Sequence, residues 1–430
     1  MPHIRKSIMR FVSTNPPPPP NPHPMTQAYP ARFLDKSTPP HISTLILTTG
    51  LSALSMNIFL PSLPEMAADF EVDYRFMQLS LAIYLAMNAV LQILLGPVSD
   101  RYGRRPVLLA TFAIYVVASL GCIFAPNITV FLVFRMAQGF VVTGMILSRA
   151  MIRDVLPADQ SASFIAYVTM GMALVPMISP SLGGILGEYF GWRSTFWLQV
   201  VAGLIILWLM WRDLGETHPR GKGSLMDQVR AYPELFRSPR FWGYSLAAMF
   251  ASGAFYAFLG GAPFVGSEMY GLSASALGLY FGAPGVGYLV GNWVAGRYAV
   301  RMGPNRMILI GGVIVAVGPL LCLAFLYAGA SSATLFFGSM VLIGLGNGML
   351  LPNANAGMLS VRPGLAGSAS GLGGALMIGG GAAISGFVGS LLTREVGPYS
   401  LLWIMVFCAV MALSSTLVVI RRERKLGRLT

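Results

Sequence analysis

Gly96-Pro97-Val98-Ser99-Asp100-Arg101-Tyr102-Gly103-Arg104-Arg105 puts four charged side chains into ten residues of a chain that is only 10% charged. Apolar runs at about 77–98 and 106–126 flank it on both sides. Each is long enough to cross a hydrocarbon layer about 30 Å thick as a helix. The stretch therefore reads as a tight turn between two membrane-crossing helices, with Gly96 and Gly103 permitting close backbone approach. Three arginines in so short a turn hold it on one side of the bilayer. The rest of the chain can be oriented from it.

The 430 residues are 55% hydrophobic, with a mean hydropathy of +0.66. That is more apolar surface than a soluble chain of this length can hide. The apolar runs are continuous rather than alternating, which excludes a transmembrane β-barrel. The 49 glycines suit close helix packing in lipid. A net charge of +13 could signal nucleic acid, but its distribution says otherwise. Arg75, Arg193 and Arg394 fall on one side and Arg135 and Arg149 within spans; the other Lys and Arg collect, loop by loop, on the opposite side. This is the positive-inside pattern of a membrane protein, not a nucleic-acid patch. Cys122, Cys322 and Cys408 lie in apolar runs, as small core residues do. They offer neither metal spacing nor a disulfide framework, so no metal or other cofactor is expected.

Twelve spans are expected, at about 43–64, 77–98, 106–126, 129–151, 163–188, 195–213, 241–266, 275–298, 307–328, 333–358, 367–392 and 400–420. Residues 1–41, with Pro16 to Pro20, read as a disordered, proline-rich cytoplasmic tail. Residues 42–213 form one six-helix bundle, 214–240 a basic cytoplasmic linker, 241–420 a second bundle and 421–430 a basic tail. An even number of spans places both termini on the basic side, the cytoplasmic face of a cell inner membrane. Between spans eight and nine, Gly296-Arg297-Tyr298 with Arg301, Gly303 and Arg306 echoes the opening stretch. The expected fold class is thus an all-α membrane protein, twelve transmembrane helices in two pseudosymmetric six-helix bundles, a repeat that suits secondary transporters.

Gly96-x-x-x-Asp100-Arg101-x-Gly103-Arg104-Arg105 resembles the loop motif of the major facilitator superfamily. Arg135-Met136-Ala137-Gln138-Gly139, Arg149 to Asp154, Pro180-Ser181-Leu182-Gly183-Gly184 and Gly191-Trp192-Arg193 are further matches. Together they resemble the twelve-span drug:proton antiporters of the bicyclomycin/chloramphenicol-resistance type, over about residues 43–420. The resemblance implies a conformational latch at Gly96, Asp100, Arg101, Gly103, Arg104 and Asp154. In it, Asp100 caps the helix starting near Ala366, Arg101 pairs with Asp154, and Arg104 and Arg105 mainly set topology. It also implies an antiporter motif at Pro176, Pro180, Gly183 and Gly184 that seals the interface between the halves, and a role for Arg135 in a polar network tied to proton movement.

Arg135 lies within the hydrocarbon, where a guanidinium costs several kcal/mol unless paired or wet. Gln138, one turn on, can share its network. Many relatives carry Asp at the position of Asn57, and no carboxylate of this chain falls mid-span. Either a proton site sits near a helix end, with Asp154, Glu188 and Glu268 as candidates, or coupling differs from that of the relatives, and weight shifts toward neutral or anionic substrates. Asn57, Tyr84, Asn88, Arg135, Gln138, Tyr256, Asn292, Asn347 and Asn353 are expected to line the substrate cavity. The expected activity is secondary active export of small hydrophobic compounds, including antibiotics, by alternating access in exchange for protons. The alternative is a facilitator or metabolite exporter of the same fold without proton antiport. The partners expected are a small hydrophobic substrate, protons and the lipid bilayer, with no nucleic acid, and the protein acting as a monomer and not as an enzyme. The glycine-rich runs at 344–348 and 371–381 follow no strand, and no Walker-type loop is present, which argues against nucleotide use.

Overall fold

The computed structural model describes residues 31–156, 158–218, 232–362, 365–393 and 397–425. The proline run at 16–20, residues 219–231 of the basic linker and the last five residues lie outside them. Among the described residues, ten helices are long and apolar enough to cross a membrane. They are α1 (Ile42–Asp69), α2 (Tyr74–Tyr102), α3 (Arg104–Ile123), α4 (Ile128–Val155), α6 (Arg193–Asp213), α7 (Pro239–Met269), α9 (Pro304–Tyr327), α10 (Ala333–Leu359), α11 (Ala366–Leu391) and α12 (Tyr399–Lys425). Two further helical stretches are consistent with the expected twelve: α5 (Ala158–Phe190) and α8, built of Ala274–Tyr280 and Gly282–Met302.

Several helices are interrupted for local reasons. α1 stops at Asn57 and resumes at Leu63 after a tight turn through Leu60–Ser62. Pro61 in that turn has no N–H to continue the ladder. α4 tightens at Gly139–Val142, and α7 ends in a widened turn at Val265–Met269. The pseudosymmetry appears in backbone angles. Gly103 joins α2 to α3 at φ 97°, ψ 151°, and Gly303 joins α8 to α9 at φ 82°, ψ 150°. Both lie in a region that side chains with a Cβ avoid.

Outward faces are apolar, as lipid requires. Trp197, Val201, Leu204, Ile205, Trp208 and Trp211 stand exposed along α6. Within the second half, α8 and α10 cross on small residues: Gly287 and Gly291 meet the α10 backbone, and Gly344 and Gly348 meet that of α8. Between the halves, α2 packs along α11 and α5 along α8. The end bearing Gly103 and Gly303 is called the basic end below, and the opposite one the far end.

Candidate functional site

Arg135, inside the first half, is fully enclosed. Its Nη1 donates to Gln138 Oε1 at 2.6 Å and its Nη2 to the Ser55 carbonyl at 2.9 Å. That carbonyl lies in the last turn of the first segment of α1, where carbonyls lack intrahelical donors. The guanidinium carbon also sits 4.1 Å from the centre of the Phe59 ring and 4.2 Å from that of Tyr84. A desolvated cation over an aromatic face gains about 2 kcal/mol or more. No carboxylate joins this set among the described residues. The charge is held by an amide, a carbonyl and two rings.

Gln138 extends the network. Its Nε2 donates to Ser119 Oγ at 2.7 Å and to Gln199 Oε1 at 3.4 Å. Gln199 Oε1 also accepts from Ser55 Oγ at 3.0 Å and from Tyr115 OH at 3.1 Å. One amide oxygen on α6 thus gathers donors from α1, α3 and α4. Gln199, Ser55, Tyr115, Ser119 and Phe59 were not among the residues expected from sequence. A polar residue buried on its own helix face was the only available signal, and several spans carry one. Phe59 is held from behind by Phe196, whose ring centre is 6.0 Å away, and Phe196 packs on Phe131 and Trp192.

Apart from Tyr84, whose ring faces the Arg135 guanidinium, the other expected cavity residues make no hydrogen bond to Arg135 or Gln138 among the described residues. Asn57 is buried, gives Nδ2 back to the Ala53 carbonyl at 3.2 Å, and leaves Oδ1 without a partner. Asn88 and Asn347 are also buried with Oδ1 unpartnered. Asn353 and Asn292 bond the carbonyls of Met349 and Tyr288 on their own helices. Tyr84 is buried, with its hydroxyl 3.4 Å from the Ser52 carbonyl. Tyr256 is half-buried and its ring packs against Gly381 of α11. Asn292 and Asn353 of the second half thus bond within their own helices, and the polar hub around Arg135 belongs to the first half.

At the basic end the latch partition differs from expectation. Arg104, not Arg101, meets Asp154, Nε to Oδ2 at 3.1 Å. It also pairs with Asp100 at 2.5 Å and reaches Ser99 Oγ. The reason is Gly103: its positive φ ends α2 and makes Arg104 the first residue of α3, one helical turn from Asp100. Arg101 lies on the exposed side of α2, with its guanidinium 5.6 Å from the Tyr102 ring centre. Arg104 is accordingly a buried hub rather than a topology signal. Asp100 meets Arg104 rather than the first turn of α11. Glu216, absent from the expected set, accepts the Arg104 N–H at 2.8 Å and the Arg105 N–H at 3.3 Å, capping α3. Thr217 Oγ1 donates to Asp154 at 3.2 Å. The clamp ties α2, α3, α4 and the segment after α6, all within the first half.

At the far end, contacts cross between the halves. A Cβ at Gly183 would run into the Ile58 carbonyl, and one at Gly184 into the Ala274 carbonyl. The first contact binds α5 to the break in α1; the second binds it to α8. Gly278 sits against the Pro180 carbonyl, and Ser181 Oγ donates to the Gly278 carbonyl at 3.0 Å. Glu188 Oε2 accepts the Ser275 N–H at 2.9 Å. Nearby, Gln78 on α2 donates to the Ser385 carbonyl of α11 at 2.8 Å. Pro176 and Pro180 lie inside α5.

Two related helical halves, sealed together at one end and enclosing a buried polar hub, define a polytopic membrane carrier. The Major Facilitator Superfamily profile matches residues 45–385 and 267–429, and the chain belongs to that family. It is a multi-pass membrane transporter, not an enzyme. It is 30% identical over 352 residues to the uncharacterized MFS-type transporter YdgK of Bacillus subtilis, across 80% of this chain and 87% of that one. It is 26% identical to a bicyclomycin resistance protein homolog of Haemophilus influenzae, across 88% of this chain and 95% of the relative. Among solved structures, a D-xylose-proton symporter superposes with a TM-score of 0.71 at 16% identity, covering 88% of this chain and 96% of that one. This last likeness shows the fold.

Proposed function

We propose that this transporter exports small hydrophobic compounds that are uncharged or anionic, by rocking its two halves about a midplane cavity in exchange for protons. The basic end faces the cytoplasm of the inner membrane, and the chain works as a monomer. The observation that carries the substrate class is the Arg135 hub: a buried cation whose partners among the described residues are all neutral, with no carboxylate beside it to answer a cationic drug. Neutral partners keep the region net positive, which disfavours a second cation in low dielectric. Export of drugs is supported by the drug-resistance relative. The twelve helices would divide at the linker, 214–240, into bundles 42–213 and 241–420.

For proton coupling, Glu188 is the best placed of the three carboxylate candidates. Asp154 is engaged by Arg104 within one half, whereas Glu188 spans from α5 to α8. Protonating it removes the charge that favours a helix-start N–H. The seal would then loosen from the far side. The test is a susceptibility and uptake panel in an efflux-deficient host, comparing neutral, anionic and quaternary ammonium compounds, with Asn57→Asp alongside wild type. Export of neutral or anionic compounds that stops when the proton gradient is collapsed supports the reading. Robust export of the quaternary ammonium compound by the wild-type chain alone would overturn it.

A further inference from the structure

At the basic end of the second half, a cavity of about 480 Å³ opens between α7, α9, α10 and α12. Arg240, Tyr244, Asn305, Arg306, Ser360 and Glu423 line it. It lies at the Gly303 turn, which repeats the Gly103 turn of the clamp. Aligned on Gly103 and Gly303, the counterparts of Asp100 and Arg104 are Val300 and Pro304. The last turn of α10, Ala356 to Leu359, has no carboxylate to stand for Asp154. Val300 is 93% exposed where the first half has an ion pair. The second half thus keeps the turn and lacks the side chains that fill it.

The walls left behind favour an anion. Glu423 is buried, but its charge is answered within the wall. Its Oε1 accepts from Arg240 Nε at 3.1 Å, from Arg240 Nη2 at 2.6 Å and from Tyr244 OH at 3.0 Å, and its Oε2 accepts from Asn305 Nδ2. Arg306 is exposed at the cavity and has no ion-pair partner among the described residues. α9 begins at Pro304, so the N–H groups of Asn305 and Arg306 lie in its first turn, where no intrahelical acceptor exists. A guanidinium beside free helix-start donors matches the oxygens of a phosphate. The level is that of lipid headgroups, where basic pockets between helices take anionic ones.

We propose that this cavity binds a phosphate-bearing anionic headgroup, anchored by Arg306 and backed by Arg240. An anionic phospholipid and a soluble phosphate ester share that chemistry, and the experiment separates them. Full-length protein is purified in a neutral detergent. Its thermal midpoint is measured with added phosphatidylglycerol, phosphatidylcholine or glycerol 1-phosphate. The comparison is between wild type, Arg306→Gln and Arg301→Gln, which removes the same charge from the same end outside the cavity. Phosphatidylglycerol, and not phosphatidylcholine, should raise the midpoint of wild type and Arg301→Gln. Its half-saturating concentration should rise about fivefold in Arg306→Gln. An Arg306-dependent shift with glycerol 1-phosphate alone supports the site and names a soluble ligand. Equal responses in the two variants, or none in wild type, overturn the proposal. Since the readout is binding, it stands or falls apart from transport.

Discussion

Arg104 reaches Asp154 because Gly103, at φ 97°, hands the chain from α2 to α3 and leaves Arg104 at the start of a new helix. Removing its guanidinium strands two carboxylates that lie in a partly buried setting. Arg104→Gln is expected to cost about 1–3 kcal/mol and to lower both the thermal midpoint and the efflux rate. Arg101→Gln, on an exposed side chain, should stay within about 0.5 kcal/mol of wild type in the same melt. If the two variants melted alike, the clamp would not be centred on Arg104. Gln199 sets a second test at this scale. Gln199→Leu keeps the volume and deprives Ser55, Tyr115 and Gln138 of a shared acceptor. A loss of about 1–3 kcal/mol is expected, read as a lower melting temperature.

Among the helices, α5 shows what neighbouring residues on one element can do. Gly183 and Gly184 point about 100° apart around the helix, one to the α1 break and one to α8. Gly183→Ala should overpack the first half and destabilise it by about 1–3 kcal/mol, visible as a lower melting temperature. Gly184→Ala should leave that temperature closer to wild type and instead loosen the far-end seal. A membrane-impermeant thiol reagent, applied from the far side to a cysteine introduced at Ser181, would label it faster in Gly184→Ala. Identical labelling with and without the substitution would mean that Gly184 does not govern the seal. The two prolines and two glycines of α5 could be read from the sequence as a packing device, and their two-sided use could not. Which face each residue presents depends on the crossing of α5 with α1 and α8, and composition does not encode that.

Across the whole molecule, hydropathy, the alternation of basic loops and the repeated glycine turn made the twelve-helix, two-bundle fold legible before any coordinates. The site was legible only where a residue broke the rule of its surroundings. Arg135 was visible because a charge inside a span is rare. Gln138 was visible from helical spacing to it. Gln199 and Tyr115 were not, since four helices must meet before their shared role exists. Glu216 was lost among other loop charges, and the division of labour between Arg101 and Arg104 rests on one backbone angle. Orientation belongs to this scale as well. Fused to the C-terminus, a fluorescent protein that folds only in the cytoplasm should glow, and a phosphatase that folds only outside it should stay inactive. The reverse pattern would invert the sidedness proposed for the basic end.

The break in α1 has a mechanical meaning. Within four residues it offers the Ser55 carbonyl to Arg135 and the Ile58 carbonyl to Gly183. Gly183 adjoins Gly184, which bears on α8. A short packed path therefore runs from α8 through Gly184, Gly183 and the break in α1 to the enclosed guanidinium. The enclosed guanidinium thus lies only two close backbone approaches away from α8, although among the described residues it touches none of the second half's far end itself.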